Sequence, residues 1–235
     1  MFVTPNGGSS TERQRRFFRI LISEMADFQA VISSPRAAYA EALRFFNGHG
    51  MLNDALSRLV ADLDRKNIDY VVIGAIALNQ HGFQRLTIDI DLVMTSEGLD
   101  RFRNELVGLG YRPAFEGAKK KFRTAEENIP VEIITSGEYP GDGLPKPVSF
   151  PEPDSDFVVI EGIKTVSLEK LVELKLASGM TAPDRLKDLA DVQELIKLKS
   201  LDADFASKLN EFVRPKYIEL FDAVASARGK DTEEY

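Results

Sequence analysis

The run Arg85-Leu86-Thr87-Ile88-Asp89-Ile90-Asp91-Leu92 sets two aspartates two residues apart in a strict polar–apolar alternation. Such alternation predicts a half-buried β-strand over Arg85–Leu92, with Leu86, Ile88, Ile90 and Leu92 facing the core. Arg85, Thr87, Asp89 and Asp91 then share the other face, where two like charges about 7 Å apart repel each other. A cation between the carboxylates would remove that repulsion. A third carboxylate, Glu132, stands between Val131 and Ile133 in "VEII", and a carboxylate buried in a core strand needs a partner or a cation. Oxygen donors converging from two neighbouring strands suit Mg²⁺ or Mn²⁺, with the shell completed by water and phosphate oxygens. The competing reading is a solvent-facing strand whose acids keep it soluble.

Upstream, "DYVVIGAIALNQHG" passes from a β-branched run through Gly74 and Ala75 into an Ala-containing helix. Gly74 thus falls at a strand-to-helix turn, where free N–H groups and the helix dipole favour phosphate. A phosphate cradle beside a metal clamp is what phosphoryl-group chemistry requires, because charge on the phosphates must be neutralised in the transition state. The chain holds no G-x-x-x-x-G-K-[ST] and no G-x-G-x-x-G after a strand. His81 and Gly82 close the helix, the histidine favoured by the dipole and the glycine as cap. Farther along, Leu168, Leu171, Val172 and Lys175 lie on one helical stripe, so Lys175 either snorkels or meets an anion. Arg185, Lys187, Asp188 and Asp191 follow on the next helix, which could equally be a solvated face with a Lys187–Asp191 pair.

Composition removes several classes. The chain has 235 residues, no cysteine and two histidines, so disulfides, thiolate zinc sites and histidine-rich metal sites are excluded. No apolar run approaches the roughly 20 residues needed to span a bilayer, and the N-terminus lacks the order of a secretory signal, so a cytoplasmic protein without a membrane is expected. The net charge of −7 disfavours indiscriminate nucleic-acid coating. Arg13, Arg15, Arg16 and Arg19 read as a solvated helix face in preference to a phosphate site.

The expected organisation is α/β (α+β), a mixed β-sheet flanked by helices. Residues 1–50 form an N-terminal helical extension, with helices over 11–32 and from Ser34 (N-cap) and Pro35 onward. Residues 51–164 form the α/β core. It contains a helix from 52 to 67, the strand leading to Gly74, the aspartate strand, and a helix from Ser96 stopped by Gly110. A strand over 129–135, a turn-rich loop long enough to be functional, and a final strand "FVVIEGI" complete it. Residues 165–235 form a C-terminal helical region.

"IGAIALNQHGFQRLTIDIDLVM" resembles the first motif of the nucleotidyltransferase (polymerase-β-like) superfamily, most closely its abortive-infection AbiEii-type branch of toxins. Gly74, Arg85, Thr87, Asp89 and Asp91 fall on that motif, Ala75 stands where Gly or Ser is usual, and Glu132 matches the third acidic position. The resemblance implies a nucleotidyltransferase fold and transfer of an NMP from an NTP to an acceptor hydroxyl. The acceptor would be an RNA 3′ end, a protein side chain or a small molecule. It further implies Asp89, Asp91 and Glu132 as metal-binding catalytic residues, with Gly74, Ala75, Arg85, Thr87, Lys175, Arg185 and Asp188 around the nucleotide. A toxin role with an antitoxin protein as partner also follows. The alternatives are a catalytically weak nucleotide-binding regulator and a protein-interaction partner on the same fold.

Overall fold

The computed structural model describes residues 27–231. Three helices lead in: α1 (Phe28–Ser33), α2 (Pro35–Phe46) and α3 (Met51–Arg65). Ser34 is the N-cap of α2 and Pro35 its first residue, where a missing N–H costs nothing. Most of the first expected helix, residues 11–26 with its four arginines, lies outside the described residues. In α3 the leucines and alanine at 52, 55, 56, 59 and 63 recur at helical spacing and are all buried.

Next come β1 (Val71–Val72), α4 (Gly74–Gln80), β2 (Ile90–Met94), α5 (Ser96–Glu105), β3 (Tyr111–Pro113), β4 (Lys121–Thr124) and β5 (Pro130–Thr135). The chain then forms β6 (Phe157–Ile160), β7 (Ile163–Val166), α6 (Leu168–Thr181), α7 (Leu186–Lys199) and α8 (Arg214–Asp231). The strands form one seven-stranded sheet in the order β3-β4-β5-β2-β1-β7-β6. Its β2–β5 and β1–β7 pairs are parallel and the others antiparallel. This is the expected mixed sheet flanked by helices. Among the described residues no helix is long and apolar enough to cross a membrane.

Strand parity divides the interior into two cores. Ile90, Leu92, Phe122, Val131 and Ile133 pack with α3 and α5 on one face. Val71, Val93 and Ile134 pack with α6, α7 and α8 on the other. Asp91 and Glu132, out of step with the first set, necessarily point to the second face.

The expected strand over Arg85–Leu92 is corrected to Ile90–Met94. Its first parallel partner is Val131, opposite Ile90, so residues 83–89 have no ladder to join. The alternation continues through them, but no layer covers Leu86 and Ile88, which are 56% and 48% exposed. "FVVIEGI" is the first half of a hairpin, β6–β7, turned at Glu161–Gly162 with both residues in the left-handed region that two-residue hairpins use. The helix from Ser96 stops at Glu105, short of Gly110. In the C-terminal helical region, the helical segment expected over "APDRLKDLADVQELIKL" opens with a 3₁₀ turn at Pro183–Arg185 before α7 begins.

Substitutions on either side of the start of β2 separate covered from uncovered alternation. Ile90→Ala is expected to cost about 2–5 kcal/mol, as for a filled core site, and Ile88→Ala to stay within about 0.5 kcal/mol. Urea denaturation of both variants measures this, and equal losses would restore a strand covered from Leu86 onward.

Candidate active site

The parallel ladder sets Asp91 of β2 directly opposite Glu132 of β5. Their side chains share the face toward α6 and α7. The backbone N–H of Ile73 donates to the carbonyl of Asp91 at 3.0 Å, bringing the β1–α4 turn against the aspartate. A Cβ on Gly74 would lie 2.3 Å from Asp91 Oδ2, and the residue has φ +68. Glycine is therefore required there twice, by backbone conformation and by the carboxylate packed on it. Asp89 sits just before the strand, where the Thr87 hydroxyl donates to its carboxylate.

Asp91 carries the electrostatic consequence. Burial, and then the neighbouring charges of Asp89 and Glu132, push its carboxyl up to about 7, against the pull of Lys175 and Arg185. Glu132 is not the buried unpaired carboxylate expected from its apolar neighbours. Its side chain is 42% exposed, with Lys121 Nζ at 3.4 Å, because β4 places that lysine directly opposite it.

Facing these acids is a charge network between α6 and α7. Lys175 Nζ donates to Asp188 Oδ1 at 3.1 Å and to Asp191 Oδ2 at 2.7 Å. Asp188 Oδ2 also accepts from Ser178 Oγ and from Arg185 Nε, both at 2.8 Å. Arg85 reaches across to Asp191. Burial alone would raise the Asp188 carboxyl, but the Lys175 charge, the Ser178 hydroxyl and Arg185 hold it below the usual range. Lys175 thus does not snorkel; it is buried and met by two carboxylates. The Lys187–Asp191 pair weighed from spacing gives way, since Asp191 is held by Lys175 and Arg85, and Lys187 is exposed.

Between the two walls runs a cleft of about 450 Å³. Gly74, Asp91, Glu132, Lys175, Arg185 and Asp188 all line it. Ala75, Arg85, Thr87 and Asp89 do not; Asp89 acts on Asp91 through its charge, Thr87 through Asp89, and Arg85 through Asp191. The turn-rich loop after β5 supplies a further wall through Glu138, Tyr139, Pro140 and Phe150. Lys146 pins that loop, donating to the Pro140 carbonyl at 2.5 Å and to Thr181 Oγ1 on α6 at 3.1 Å. Ser178, also on the cleft, was missed from sequence although it lies one helical turn beyond Lys175. The loop residues carry no periodic signal that would have singled them out.

Among the described residues no three Asp, Glu, His or Cys side chains are grouped closely enough to enclose a metal ion. The donor set nevertheless suits Mg²⁺, which needs only one or two protein carboxylates and keeps several waters. Asp91 and Glu132, side by side on the ladder with Asp89 close enough to act on Asp91, are the residues that would hold it.

No family model matches the sequence, and no curated protein matches it. Several solved structures do. ANT(2″)-Ia in complex with adenylyl-2″-tobramycin has a TM-score of 0.46 and 17% identity, over 74% of this chain and 97% of that one. A candidate nucleotidyltransferase from H. pylori has a TM-score of 0.42 and 18% identity, over 77% and 96%. Another from Thermotoga maritima has 0.36 and 19%, over 63% and 89%.

Two measurements test this electrostatic picture. Because the Asp91 carboxyl is raised on folding, the folded protein keeps a proton that the unfolded chain releases. Its stabilising contribution is complete below the ordinary carboxylate range and is lost as pH rises through about 7. Urea denaturation in chelator should show stability falling between about pH 4 and pH 7, and Asp91→Asn should flatten that slope. Lys175→Met should destabilise by about 3–5 kcal/mol, since it strands buried carboxylates. A neutral Lys175→Met would show that Arg85, Arg185 and Ser178 suffice to hold Asp188 and Asp191.

Proposed function

We propose that this chain is a metal-dependent nucleotidyltransferase that moves an NMP from an NTP onto an acceptor hydroxyl. The observation that carries the reading is the Asp91–Glu132 pair, with Asp89 beside it, facing a cationic wall across a cleft floored by the Gly74 turn. Three cations, Lys175, Arg85 and Arg185, share Asp188 and Asp191 there, and Arg185 is exposed enough to meet a polyphosphate as well.

In the proposed reaction the acceptor oxygen forms a bond to the α-phosphorus while the bond to the pyrophosphate oxygen breaks. Mg²⁺ held by Asp89, Asp91 and Glu132 would supply charge neutralisation at the phosphates and an acidified acceptor hydroxyl. Glu132, with its side chain 42% exposed, would take the hydroxyl proton. Arg185, 43% exposed at its side chain, reaches the departing phosphates, and Lys175 adds its charge from beneath. Gly74 leaves the turn free of side-chain bulk where the nucleotide would lie, and Ala75 follows it in α4, outside the cleft lining. Thr87 and Arg85 orient the strand lead-in.

RNA 3′ ends, protein side chains and small molecules all offer the required hydroxyl. A cytoplasmic toxin with an antitoxin partner is supported by the resemblance of residues 74–91 to the abortive-infection branch. The Lys121–Glu132 contact favours one second reading, a nucleotide-binding regulator whose third ligand is already engaged.

Incubation with each α-labelled NTP, Mg²⁺ or Mn²⁺ and cell extract separates the two. Transfer of label is expected, and Asp89→Asn should reduce it at least about a hundred-fold while the melting temperature holds. Nucleotide binding with no labelled product would favour the regulator, and full activity in Asp89→Asn would remove Asp89 from the site.

A further inference from the structure

Between Gly82 and the first ladder residue, Ile90, the chain crosses to the site without a sheet partner. Arg85, Thr87 and Asp89 turn inward along this stretch, whereas Leu86 and Ile88 face solvent. Its backbone is nearly free of hydrogen bonds. Phe83 N–H donates to the Leu78 carbonyl at 2.9 Å, at the exit from α4. Among the described residues, the remaining backbone bonds to residues 84–89 both come from one side chain, Asn79. Its Oδ1 accepts from Arg85 N–H at 3.0 Å, and its Nδ2 donates to the Arg85 carbonyl at 2.6 Å. Nδ2 also donates to the Ala75 carbonyl, one helical turn back, at 2.8 Å.

We propose that Asn79 is a positioning residue for nucleotidyl transfer, clamping the backbone at Arg85 so that the unpaired lead-in delivers Asp89 beside Asp91; this rests on the function proposed above. The side chain needs both a donor and an acceptor. A carboxamide is the group that supplies them on one planar head, matched to the N–H and C=O of a single residue. Two consequences follow from the same geometry. The clamp ties the lead-in to α4, whose first residue is Gly74, so the turn and Asp89 are held in one frame. The Arg85 side chain, freed from supporting its own backbone, extends to Asp191 and joins this frame to the cationic wall.

Asn79 is partly exposed and belongs to neither hydrophobic core, so its variants should fold. Asn79→Ala deletes the clamp. Asn79→Asp is nearly isosteric but sets carboxylate oxygens against the carbonyls of Ala75 and Arg85, so a packing role would tolerate it and a clamp would not. Hydrogen exchange in the metal-free protein should show the Arg85 amide exchanging at least about ten-fold faster in Asn79→Ala, with α6 and α7 unchanged, whereas Asn79→Asp keeps an acceptor for that amide and loses the donor to the Ala75 and Arg85 carbonyls. In transfer assays both should lose about ten- to a hundred-fold in kcat, the scale of a small misplacement of a catalytic group, with KM for the NTP within about two-fold. Unchanged Arg85 exchange in Asn79→Ala, or wild-type kcat in Asn79→Asp, would overturn the assignment. Absence of transfer in the wild-type chain would instead remove the enzymatic reading, and Arg85 exchange would still decide whether Asn79 holds the lead-in.

Discussion

The parallel ladder between β2 and β5 forces two carboxylates, Asp91 and Glu132, into adjacent register on one face of the sheet. The neighbouring features answer the repulsion this creates. The Gly74 turn closes against Asp91 and excludes a side chain, burial and the flanking acids keep its carboxyl protonated up to near neutrality, and Lys121 approaches Glu132 from β4. An acidic row this close would be a poor choice for stability alone. It is eased by the opposite wall of the cleft, where the charges of Lys175 and Arg185 act on Asp91.

That opposite wall is itself a buried ionic network, and such networks are costly to desolvate. Asp188 and Asp191 are affordable only because Lys175, Arg185, Arg85 and the Ser178 hydroxyl meet their oxygens. The network fixes α6 against α7 and, through Arg85, fixes both to the segment that enters β2. The two walls are therefore mechanically coupled, both standing on the one face of the sheet that α6, α7 and α8 cover.

How far the sequence revealed this depended on which signal each residue carried. Alternation correctly put Asp91 and Glu132 on one face, because side-chain parity survives in any strand. It misjudged Leu86 and Ile88, because alternation says nothing about where a partner strand begins. The apolar stripe containing Lys175 marked it as unusual, but its partners, 13 and 16 residues farther along and on another helix, had to be seen in three dimensions. β3 and β4 escaped notice because they are three and four residues long and rich in Arg, Lys and Pro. Asn79 carried no signal at all; amides in helices are common, and only the fold brings Arg85 back to it.

The position of the cationic wall in the chain gives the site an order of assembly. Strands β2 and β5 and the lead-in that carries Asp89 are complete by Thr135, whereas Lys175 and the aspartates that hold it arrive only with α6 and α7. During synthesis, which releases N-terminal segments first, the acids are present before their counter-charges. A nascent chain that has not yet emitted α7 lacks Asp188 and Asp191, so Lys175 has no partners and the cleft has only its acidic wall until residue 191 has been made.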